Sequence, residues 1–104
     1  SISNLAATFS STPFSQIIRG IESLGALLEN SGYYVVPSPG TPKPLSYGYY
    51  TGGFIVRNHG SRDSGTVDAI QIESPFHLRR SSAIPDYGDD IGDAIVDFLT
   101  EWYQ

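Results

Sequence analysis

Apolar residues recur along this chain with two different periods. Phe14, Ile17, Ile18 and Ile21 stand three and four residues apart, as on one face of a helix. Thr12 suits the cap of that helix and Pro13 its first position. Gly20 and Gly25 each weaken a continuous helix by about 1 kcal/mol relative to alanine. A break is therefore expected near Gly20, with a second helix through Leu24, Leu27 and Leu28 that ends at Gly32, a natural left-handed residue. The plainest pattern comes last. Ile91, Ala94, Ile95, Phe98, Leu99 and Trp102 share one face of a helix spanning about 86–103. Asp86, Asp89 and Asp90 fall in its first turn, where the helix dipole favours negative charge. Asp93, Asp97 and Glu101, spaced by four, read as its wet face, because calcium ligands converge from a loop rather than a straight stripe.

Between these helices the pattern changes. Tyr33-Tyr34-Val35-Val36 is aromatic and β-branched and predicts a strand. Four prolines in the eight residues 37–44 end it and predict a loop extended over the surface. Gly52-Gly53-Phe54-Ile55-Val56-Arg57-Asn58-His59-Gly60 predicts a second strand, and Val67-Asp68-Ala69-Ile70-Gln71-Ile72-Glu73-Ser74-Pro75 a third. The expected fold class is α/β: a small three-layer fragment with about three strands and helices at both ends, part of a larger α/β unit. Residues 1–12 are expected to form a flexible arm, and 13–104 a single α/β domain.

Composition narrows the function. The chain has 104 residues and a net charge of −5, with six of its eleven acids at positions 86–101, so a nucleic-acid partner is not expected. Absence of cysteine excludes disulfides and thiolate zinc sites. No apolar run reaches the roughly 18–20 residues of a membrane span. The first residue is Ser1 and there is no methionine, which leads to the expectation of a cleaved leader or a cut from a longer polypeptide.

Two charges among apolar residues draw the functional reading. A charge beside β-branched residues is costly to bury unless it is paired or used. Strand alternation would set Ile55, Arg57 and His59 on one side and Phe54, Val56 and Asn58 on the other. An arginine at a strand end beside an imidazole suits bidentate capture of a carboxylate; a salt bridge to Asp63, Asp68 or Glu73 is the alternative. Glu73, after Ile72, suits a general base with a desolvated carboxylate, or one half of a structural ion pair. His59 and His77 match no zinc spacing, and no G-x-S-x-G is present. Tyr33, Tyr34, Tyr47, Tyr49, Tyr50 and Trp102 could form a sugar platform or serve core and interface packing.

The Gly52–Gly60 and Val67–Pro75 motifs, followed by the amphipathic helix, resemble the C-terminal part of the N-formylglutamate amidohydrolase family, especially its secreted fungal branch. The resemblance spans roughly 14–103 and is most specific over 52–75. It implies the C-terminal half of a zinc-exopeptidase-like fold. It also implies that Arg57 binds the substrate carboxylate, with Asn58 and His59 beside it, and that Glu73 is the general base. The family's zinc ligands lie in an N-terminal half with no counterpart here, and Asn58 stands where the family often has histidine. The chain by itself would therefore hold no metal and would not be autonomously catalytic. Zinc would enter only with a second protein chain, an N-terminal half or a larger enzyme. The other reading is a non-catalytic accessory or lectin-like subunit, partnered or homo-oligomeric, and secreted.

Overall fold

The computed structural model describes residues 2–48, 52–63 and 65–104. Among these residues five α-helices follow one another: α1 (Ser3–Thr8), α2 (Phe14–Arg19), α3 (Leu24–Asn30), α4 (Phe54–His59) and α5 (Ile84–Trp102). Short 3-10 turns stand at Ser61–Asp63 and Phe76–Arg79. Among the described residues there is no strand, so the expected α/β class with three strands is overturned.

The helices read from periodicity form close to where they were expected. Helix α2 ends at Gly20, whose N–H bonds the Gln16 carbonyl, and it begins one residue later than expected, with Pro13 as its cap. Ser23 opens α3 by accepting the Ala26 N–H at 3.1 Å, and Gly32 beyond its end takes φ 94°. Helix α5 starts at Ile84, with Pro85 in its first turn.

The three expected strands take other forms. Residues 33–36 and 68–75 pair with nothing as strands, and Phe54–His59 is a helix. A run of six residues is too short for periodicity to separate strand from helix. With no neighbouring strand among the described residues to supply a ladder, the run meets its hydrogen-bonding needs locally: Arg57 N–H bonds the Gly53 carbonyl, Gly60 N–H the Val56 carbonyl, and Asn58 Nδ2 the Phe54 carbonyl. Gly52, at φ 80°, turns the chain into this helix.

The N-terminal stretch, read from the sequence as an arm, contains α1, and its Ile2 and Leu5 join Ile17, Phe98 and Trp102 in the core. The Phe9 and Trp102 rings meet edge to face at 5.2 Å, and Trp102 Nε1 donates to the Glu22 carbonyl at 2.9 Å. Helix α1 has no cap from its own sequence. Asp68, sixty-odd residues away, takes that place: its carboxylate accepts the Asn4 N–H at 3.0 Å and the Leu5 N–H at 2.8 Å. Ser61 Oγ and the Tyr103 hydroxyl donate to the same carboxylate.

The proline-rich segment lies at the surface as expected, with residues 39, 40, 42 and 43 exposed, but it is bent and tied down rather than extended. Glu29 of α3 accepts from Ser38 Oγ at 2.9 Å and from Gly40 N–H at 3.1 Å, which ties the 37–41 turn down on the helix. Gly25 admits that turn, since a Cβ there would stand 1.9 Å from the Pro37 carbonyl oxygen.

Three stability changes follow. Asp68→Ala leaves the Leu5 N–H without its acceptor and the Asn4 N–H with Ser61 Oγ alone, and should cost about 1–3 kcal/mol, read as a lower urea midpoint. The depressed Asp68 pKa implies stability that is present above the ordinary value of 3.8 and lost as pH falls through the lower folded value. That acid limb should flatten in Asp68→Ala. Gly25→Ala should cost about 1–3 kcal/mol by forcing the turn off α3. Gly88→Ala, where a Cβ meets nothing within 4 Å in α5, should instead add about 0.5–1 kcal/mol.

Candidate functional site

A groove of about 790 Å³ opens between α2, α3, the 34–37 segment and the straight run from Ala69 to Pro75, within the usual range for ligand sites. Its walls are mostly apolar, from Phe14, Ile17, Ile18, Val35, Pro37 and Ile72. Tyr34 and Tyr47 stand exposed on its rim. Among the described residues that line it, Glu73 is the one charged side chain.

Glu73 is held from its own segment. The Gln71 side chain takes the Gly53 N–H at 2.8 Å through its oxygen and donates its amide to the Glu73 carboxylate. One side-chain amide thus joins the start of α4 to the groove's carboxylate. Ser74 Oγ and the Tyr87 hydroxyl, 2.6 Å apart, fasten the next residue to α5.

Expectations for the remaining site residues meet a different geometry. Arg57, Asn58 and His59 lie on α4, and a helix advances about 100° per residue, so Arg57 and His59 point to opposite sides rather than the same one. All three are exposed, and the Phe54 ring meets His59 edge to face at 6.5 Å. Arg57 forms no ion pair with Asp68 or Glu73: Asp68 serves α1, Ser61 and Tyr103, and Glu73 serves Gln71. The Asp63 side chain lies outside the described residues. Glu73 reaches the groove and Arg57 does not, although its neighbour Val56 does.

His59 on α4 and His77 in the Phe76–Arg79 turn are both exposed, and among the described residues no three His, Cys, Asp or Glu side chains gather as a metal group. No described helix is long and apolar enough to cross a membrane. Of the tyrosines considered as a platform, Tyr34 and Tyr47 remain at the groove, Tyr33 turns towards α5, Trp102 is in the core, and Tyr49 and Tyr50 lie outside the described residues.

Among the described residues, two tyrosines carry shifted protons. Tyr33 donates to Asp90 at 2.5 Å, and that bond, helped by partial desolvation and the nearby acids, pushes its phenol up to about 12. Burial, together with the bond to Asp68, holds the Tyr103 phenol well above its ordinary value. Burial alone would raise Asp68, but the donors from Ser61, Tyr103, Asn4 and Leu5 outweigh it and bring its pKa below normal.

The contribution of Asp68 was hidden in the sequence because its partners are spread from Asn4 to Tyr103. Its place inside a β-branched run was the available signal, and the same run drew attention to Glu73. Compared with known protein families, characterised proteins and solved structures, the chain matches none.

Tyrosine titration followed by carbon-labelled NMR should find one phenol near 12, that of Tyr33. Asp90→Asn should return it towards 10, because the charged acceptor that favours the phenol form is gone.

Proposed function

We propose that the chain is a partner-dependent subunit, a binding or accessory chain completed by a second polypeptide rather than a self-sufficient enzyme. One observation carries this reading. Val67, Ile70, Ile72, Ile95 and Leu99 are 62, 50, 39, 37 and 47% exposed, and they border one continuous apolar hollow. Exposed apolar side chains gathered on one hollow favour a site where something binds. The apolar stripe of α5 is wider than the core it serves: Ala94, Phe98 and Trp102 are buried, while Ile95 and Leu99 turn towards the hollow.

A second reading follows the amidohydrolase resemblance and is favoured by the position of Glu73. Its carboxylate borders the groove, bonded by a neutral amide and not neutralised by Arg57. On this reading the subunit brings a general base to a shared site, and Arg57, with Asn58 and His59, meets a small carboxylate-bearing substrate. Zinc and its ligands come from the second chain. The assembly works outside the cell, as in the secreted branch that the sequence resembles.

Sedimentation and dye binding test the first reading. The isolated chain should self-associate or brighten an apolar-surface dye strongly. Ile70→Ser with Leu99→Ser should remove most of that signal while costing about 2 kcal/mol of stability, since both side chains are already half exposed. A dye-dark monomer overturns partner dependence. So does an isolated chain that hydrolyses formyl or amide substrates when zinc is added.

A further inference from the structure

Seven consecutive residues, Ala69 to Pro75, border the groove without interruption. Side chains of a strand-like segment point alternately to opposite faces. Seven in a row can therefore wall one space only if the main chain itself faces it. Residues 68–75 contain no helix, turn or bend, so this wall is straight.

Its hydrogen-bonding groups are available. Among the described residues, no main-chain hydrogen bond is made to or from residues 70–74. The bonds there come from side chains: Gln71 to Gly53 and Glu73, and Ser74 to Tyr87. An exposed, straight main chain with unspent N–H and C=O groups is a template for one more strand.

Chemistry on the groove limits what that strand can be. The facing wall offers apolar and aromatic surface from Phe14, Ile18, Tyr34 and Tyr47. Among the described lining residues the single charge is Glu73, whose described partner is an uncharged amide. A cation is its complement. The chain's own straight segment does not supply one, because residues 68–75 carry Asp68 and Glu73 and no base. A second copy laying the same segment in the groove would bring more carboxylate to Glu73.

We propose that the groove takes one extended segment of a partner protein as an added β-strand, its main chain paired with residues 70–74. Alternate side chains of this segment are apolar, and a lysine or arginine stands against Glu73. The proposal rests on the partner-dependent reading and names the partner's chemistry.

Hydrogen–deuterium exchange of the full chain tests it. The probe is an acetylated, amidated heptapeptide alternating valine and threonine around a central lysine. The amides of residues 70–74 should exchange quickly in the free protein and become protected with the peptide. Methylating alternate peptide nitrogens, which removes the strand's donors, should abolish that protection. Replacing the central lysine by glutamate should weaken binding about fivefold, as expected for a surface charge pair turned repulsive. Glu73→Lys should reverse that preference.

Protection that ignores peptide charge and peptide N–H groups overturns the proposal. Protection that appears without peptide and grows with dimer mass assigns the edge to a second copy and also overturns it. A chain that self-associates or binds dye, yet leaves 70–74 unprotected by the peptide, sinks the added strand while partner dependence stands. A dye-dark monomer sinks both.

Discussion

The Asp68 carboxylate receives hydrogen bonds from both ends of the chain and from its middle. Asn4 and Leu5 give it the free N–H groups of α1, Ser61 its hydroxyl, and Tyr103 its phenol. Each of those groups would otherwise seek water or another acceptor. Gathering them on one half-buried carboxylate sets α1 against the end of α5, where Ile2, Leu5, Phe98 and Trp102 close the core. Helix α1 is too short to persist by itself in water, so its place depends on that carboxylate and on the burial of Leu5.

Closing the ends has a consequence for the middle. Residues 68–75 leave the Asp68 node as a straight run that joins no sheet among the described residues, fastened by Gln71 to α4 and by Ser74 to Tyr87. Apolar groups on both sides of the run stay open: Val67, Ile95 and Leu99 border one hollow, Phe14, Tyr34 and Tyr47 the other, and Ile70 and Ile72 reach both. The proposed role as a partner-dependent subunit grows from this arrangement. The proposed strand partner is the simplest chemistry that would meet the main-chain groups and the Glu73 charge together.

Helices were readable in the sequence because repeated apolar spacing over a long window is unambiguous, as in the stripe from Ile91 to Trp102. Glycines marked their ends, Gly20 closing α2 and Gly32 following α3. The strands misled for one physical reason. A β-branched run reports a side chain that suits burial beside neighbours, but a strand exists only if those neighbours pair with it. Phe54–His59 found none and wound into a helix between glycines. With that turn, the expected alignment of Arg57 with His59 disappeared, while Glu73 kept its place on an open face.

By itself the sequence determined α2, α3 and α5, the break at Gly20, the acidic wet face of α5, and the position of Glu73 at the end of a β-branched run. Those features depend on neighbours within a few residues, where spacing and intrinsic preference act directly. Only the tertiary structure decided that Asp68 caps α1 and that Glu29 pins the proline turn. It likewise decided that the 68–75 main chain faces a groove. Each of these joins residues brought together by closure of the chain, and no local pattern records which distant donor a carboxylate will meet.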